Sequence, residues 1–197
     1  MRSLAKGLER VAELAIGLLI IGGCVAGGRT ADSDTTARAN AVRQDSVTST
    51  ADCVRGEPEP VLATKEPARP ARFERTGTLS ATEDFRLDDT TSLRLTNSGC
   101  AHYTETYAFT IRGATRDTTD SDHWLRLGAA LLESLPVAEA RESQMRELAR
   151  TLVTRADESN PYAYGEPISI PELSTLSLAI ERTNDAVVLE ITYDVAL

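Results

Sequence analysis

Few side chains in this 197-residue chain are of a type and spacing that could do chemistry. There are three cysteines, Cys24, Cys53 and Cys100, two histidines, His102 and His123, and an excess of carboxylates that sets the net charge at −9. A zinc site needs several Cys, His or carboxylate ligands at workable spacing, and neither histidine has such neighbours in the sequence. Both are expected in structural roles, His102 at a strand start and His123 at a helix start. Asp117, Asp120 and Asp122 lack the central glycine and the ligand spacing of a calcium loop; they are expected to cap a helix, and Asp88-Asp89 to make a turn. Ser98-Gly99-Cys100 lacks the surroundings of a hydrolase elbow, and glycine-rich phosphate loops are missing. The sequence is thus expected to hold no catalytic, cofactor or metal site. The remaining enzymatic route is a pair of dispersed carboxylates roughly 5–10 Å apart in a cleft, as in glycoside hydrolases.

The N-terminus carries an address. Arg2, Lys6 and Arg10 precede an apolar run from Leu14 to Ile21, and Gly22 and Gly23 follow before Cys24. A basic start, an apolar middle and small residues at the end form the layout of an export signal. The run is too short to cross a hydrocarbon core of roughly 30 Å, which takes about 20 residues. Ile21-Gly22-Gly23-Cys24 resembles the lipobox of bacterial lipoprotein precursors, over the first 24 residues only. The resemblance implies cleavage before Cys24, so that residues 1–23 are a signal peptide, and acylation of the Cys24 thiol with a diacylglyceryl group. Two or three acyl chains, at about 0.8 kcal/mol per methylene, make a lasting membrane anchor. Val25, where an aspartate would retain such a protein at the inner membrane, implies an outer-membrane location facing the periplasm.

Removing the signal takes away three basic and two acidic residues and leaves a net of −10. That charge argues against nucleic acid as a partner and suits solubility or a cationic protein partner. Cys53 and Cys100, an even pair in an exported chain, are expected to form one disulfide. Closing a loop of that length stabilises a fold by roughly 4 kcal/mol in the chain-entropy model.

These residues need elements to place them. From Val25 to about Thr50 the chain is Gly, Ala, Ser, Thr, Asp and Arg, too poor in apolar groups to offset the entropy of ordering. A flexible tether of that length reaches some 25–30 Å on average. The proline-bearing run from Gly56 to Pro70 is expected to continue it as a stiffer linker, so that 24–71 is anchor, tether and linker and 72–197 one domain. The clearest strand is His102 to Arg112, with Tyr103, Tyr107, Phe109 and Ile111 on one face, broken by Glu105, and Thr104, Thr106, Ala108 and Thr110 on the other. Arg72 to Leu79, Phe85 to Leu87 and Leu93 to Leu95 are shorter candidates.

Asp117 to Asp122 offers caps for a helix whose stripe is Trp124, Leu127, Leu131 and Leu135, with Leu132 beside it. Pro136 ends or kinks it. A second helix carries Val137, Met145, Leu148, Leu152 and Val153 and stops near Asp157. The last segment is expected to be a hairpin turning at Thr183-Asn184-Asp185, with Leu176, Leu178 and Ile180 on one arm and Val187 to Val195 on the other. The fold class that follows is α+β, an antiparallel sheet covered on one face by a helical pair, in the order β-β-β-α-α-β-β. Tyr162 and Tyr164, in a loop between helix and hairpin, suit either a partner contact or the edge of the core. The functional expectation is a binding or structural module of the cell envelope, or an acidic inhibitor or immunity-type protein acting on a cationic hydrolase.

Overall fold

The computed structural model describes residues 53–63, 70–171 and 174–196. The signal, Cys24 and the expected tether lie outside them. Within them the chain forms β1 (Arg72–Gly77), β2 (Ser80–Arg86), β3 (Thr91–Gly99), β4 (His102–Arg112), α1 (Ser121–Glu133), a 3₁₀ turn (Glu139–Arg141), α2 (Glu142–Ala156), β5 (Ile168–Ile170), β6 (Ser174–Arg182) and β7 (Ala186–Ala196). The α+β class with an antiparallel sheet and two helices holds, but the order is four strands, two helices and three strands, which corrects the expected sequence of elements.

The four segments singled out ahead of the helices each form a strand, one more than the expected order counts, and β5 is a further one. Leu79 lies in the tight turn between β1 and β2, where Gly77 pairs with Ser80, so β2 begins five residues before the apolar signal at Phe85. β5 is three residues long, too short to show alternation. The sheet order is β1-β2-β3-β4-β7-β6-β5. Each half is a meander running inward from its own edge, and the two halves join where β4 pairs with β7 from His102–Ala196 to Arg112–Ala186.

Alternation divides the sheet into two unlike faces. Three rows of cross-strand neighbours line the covered face: Phe85-Leu93-Phe109-Leu189-Ile180, then Glu83-Leu95-Tyr107-Ile191-Leu178, then Ala81-Asn97-Glu105-Tyr193-Leu176. The helices pack here, and the core joins Trp124, Leu125 and Leu132 of α1 and Met145, Leu148 and Leu152 of α2 to these rows. The stripe of α1 is rotated from the expected one: Gly128 and Ala129 are buried with Leu125, while Leu127 and Leu131 are only partly covered. Gly128 explains the rotation, because a Cβ there would sit 3.1 Å from the Ile191 side chain and 3.4 Å from that of Leu178. A small residue lets the helix approach the two central rows closely. In α2 the stripe is shifted as well, with Val153 exposed and Val137 outside the helix, bridged to Leu62.

Residues 53–63 are not a free linker. Val61 and Leu62 are each 2% exposed and belong to the core. The segment docks as a strap against the 136–138 stretch, Ala63 N–H donating to the Pro136 carbonyl and Ala138 N–H to that of Val61. The folded body therefore begins ahead of Arg72.

Candidate functional site

The strap ends at a buried polar cluster on the covered face. Cys53 and Cys100 form a disulfide with Cα atoms 5.3 Å apart. Cys100 is presented by the β3–β4 turn, where Gly99 has φ +106° and its missing Cβ leaves room for the His102 carbonyl and the Tyr103 Cα. Two residues along the strap, the Arg55 guanidinium lies 4.3 Å from the centre of the Tyr103 ring and 3.9 Å from Glu105 Oε1.

Glu105 is 0% exposed and is the centre of this cluster. Its Oε1 is paired with Arg141 of the 3₁₀ turn, and its Oε2 accepts from the Tyr107 hydroxyl at 2.8 Å. Burial, and then the Glu105 charge, push the Tyr107 hydroxyl well above its ordinary value, so it remains a donor to the carboxylate. Burial also pulls the Arg55 guanidinium below its usual value, against the attraction of Glu105. Asn97, the register neighbour of Glu105, has a buried Oδ1 with no hydrogen-bond partner, and Arg55 Nη1 is likewise without one.

In the adjacent row, Glu83 is 2% exposed and receives the backbone N–H of Val61 at 2.7 Å and of Leu62 at 3.0 Å. It holds the strap as a side chain caps a helix end. Both carboxylates already have protein donors on them, a placement that serves structure better than acid–base exchange with a substrate. Burial raises the Glu83 carboxyl above its ordinary value despite those two hydrogen bonds. A raised native value means that the stabilising contribution is complete below the unfolded value and is lost as pH rises through the native one. Urea unfolding across a pH series is therefore expected to show the wild type losing stability as pH rises above the ordinary carboxyl range. Glu83→Gln should flatten that slope, and parallel profiles for the two proteins would refute the assignment.

The other residues singled out by sequence are dispersed. His102 is exposed at the start of β4, and His123 packs edge-on to Trp124 at 5.3 Å between ring centres. Asp120 caps α1, accepting from His123 N–H at 3.1 Å, and Asp117 accepts from Thr119 N–H at 2.9 Å. Asp88 takes the N–H of Thr90 and Thr91, each at 2.7 Å, and closes the β2–β3 turn. Among the described residues no three His, Cys, Asp or Glu converge in a metal-binding arrangement. Tyr162 is buried, donating to the Glu166 carbonyl and accepting from Leu178 N–H, which leaves Tyr164 as the exposed ring of the pair at 37%. The Tyr164 hydroxyl donates to the Thr118 carbonyl. Burial, helped by Asp120, Asp117 and Asp122, pushes its titration up to about 12. The fold thus brings the two loop features of the sequence, the acidic cap and the tyrosine loop, into one corner.

The second face of the sheet is bare of any helix or strand among the described residues. Its central row is Thr82-Thr96-Thr106-Thr192-Ser177, five hydroxyls in register across five strands. Towards the β2–β3 turn the face hollows into an open basin of about 520 Å³. Its floor is Ser92, Ala108 and Thr110, and Arg86, Arg94 and Arg112 stand around it. No protein-family model, no curated protein and no solved structure matches this chain.

Proposed function

We propose that the protein is a lipid-anchored binding module of the bacterial cell envelope, held to the membrane through Cys24 and meeting its ligand with the bare face of the sheet. The carrying observation is the contrast between faces: one is packed by helices, while the other keeps a continuous polar surface with a basin in the size range of ligand pockets, roughly 300–1,000 Å³. The lipobox and the strap support the anchor half of the reading, because a chain that enters its domain through a disulfide and a buried carboxylate is fastened to it firmly. Growth with a radiolabelled fatty acid tests the anchor. Label is expected on the wild type and is expected to vanish with Cys24→Ser, which should move to the soluble fraction; a labelled Cys24→Ser protein would sink it.

A second reading, an acidic inhibitor of a cationic hydrolase, is favoured by the corner where Tyr164 stands beside Asp117, Asp120 and Asp122. Aromatic rings bordered by charge are frequent recognition anchors. This reading predicts that capture of a basic enzyme weakens between low and physiological salt, where the screening length falls to about 8 Å. Salt-independent capture would count against it.

A further inference from the structure

We propose that the basin on the bare face binds an acidic saccharide, Arg112 taking the sugar carboxylate and the ion pairs beside it taking the hydroxyls. The proposal rests on the binding-module reading and gives that module a ligand class. Three guanidiniums stand around the basin, but they are not equivalent. Arg94 is held in a fork by Asp84, Nε to Oδ1 at 2.9 Å and Nη2 to Oδ2 at 3.3 Å. Arg86 donates through Nε to the Asp88 carbonyl at 3.0 Å and through Nη2 to Asp89 Oδ1 at 3.3 Å. Arg112 lines the same basin and has no ion-pair or side-chain hydrogen-bond partner among the described residues.

Three aspartates, Asp84, Asp88 and Asp89, line the basin with the three arginines, and the Asp88 carboxylate is committed to the Thr90 and Thr91 N–H groups, so the one guanidinium of the three without a partner among the described residues suits a ligand of low charge density. A planar carboxylate matches a single free fork. A polyphosphate, or a patch of several anionic head groups, would concentrate its charge beside Asp84, Asp88 and Asp89, which line the same basin, whereas a carboxylated sugar carries one charge per ring. Hydroxyl groups add no charge there. The outward N–H groups of Arg94 and Arg86 and the spare lone pairs of Asp84 can donate to and accept from one polyol at once, held in fixed geometry by the ion pairs. Small floor residues leave the space for a ring, and the neighbouring row of threonine hydroxyls extends the polar track across about 19 Å of sheet at the usual strand spacing. One charge per sugar and many hydroxyls describe a uronic acid or a similar carboxylated sugar.

Calorimetric titration of the full-length protein with trigalacturonate, with its carboxyl-reduced neutral trimer and with inorganic phosphate tests the proposal. Trigalacturonate is expected to bind at least tenfold more tightly than either of the others. Arg112→Gln is expected to weaken it about tenfold with an unchanged melting curve, since Arg112 is exposed at the end of β4. Arg94→Lys, which keeps the charge and loses the fork, is expected to weaken both trimers. Failure of trigalacturonate to bind, preference for phosphate, or an Arg112→Gln protein that binds as well as the wild type would each overturn the assignment. If saccharide binding fails while an envelope partner is still captured, the ligand class alone is wrong; if nothing is captured and some substrate is turned over, the binding-module reading falls with it.

Discussion

A chain ending at Val187, ten residues short, is expected to have no cooperative unfolding transition at all. β7 is the strand on which both halves of the sheet depend, paired along its length with β4 on one side and β6 on the other. Deleting 188–197 separates the β1–β4 meander from β5 and β6 and leaves the inner edge of each unpaired. It also removes Leu189 and Ile191, both 0% exposed, from two of the three covered rows. Each such side chain is worth about 1.5–3 kcal/mol of burial, before the loss of main-chain pairing and the exposure of helix faces that packed on them. Against a typical domain stability of about 5–15 kcal/mol, the sum leaves little. Thermal and urea unfolding followed by circular dichroism should show a broad, featureless change. A truncated protein with the midpoint and steepness of the full chain would mean that β7 is not central.

The placement of that strand was legible in the sequence as a pattern but not as a position. Alternation from Val187 to Val195 identified a half-buried strand, and Thr183-Asn184-Asp185 its turn. Nothing local says that it pairs with a strand some ninety residues earlier, because register between distant strands is set by the whole covered face. The Cys53–Cys100 bond followed from export logic and an even count, and the structure has it. The strap did not follow. Its prolines and acidic residues mark a linker by composition, and only the two apolar residues Val61 and Leu62, too few for a periodic signal, carry it into the core. Glu105 did leave a trace, as the carboxylate interrupting an apolar strand face, whereas its partners Arg141 and Arg55 lie 36 and 50 positions away in segments without regular pattern. The basin was invisible for a related reason. Its floor and rim come from three strands, and in each strand the residues concerned look like ordinary solvent-side threonines, serines and arginines.

That interrupted strand face leads to the second large effect. Arg141→Met is expected to cost about 3–5 kcal/mol, the range for removing one partner of a buried ion pair. Glu105 has 0% of its side chain exposed, against 27% for Arg141, so the carboxylate cannot turn to water when the guanidinium is lost. The Tyr107 hydroxyl would remain on Oε2, but Arg55, at 3.9 Å from Oε1, is too far for a direct hydrogen bond, and burial already works against its own charge. The penalty should therefore belong to the stranded charge more than to the lost contact. Adding Glu105→Gln separates these two possibilities, since the amide oxygen keeps an acceptor for Tyr107 while the charge disappears. The double variant is expected to recover more than 1 kcal/mol relative to Arg141→Met, a coupling well outside the few tenths found for independent sites. Urea unfolding of the wild type, the two single variants and the double variant closes the cycle. Additive losses, or an Arg141→Met protein as stable as the wild type, would show that Glu105 is solvated by some other route and that Arg141 does not hold the cluster beneath the strap together.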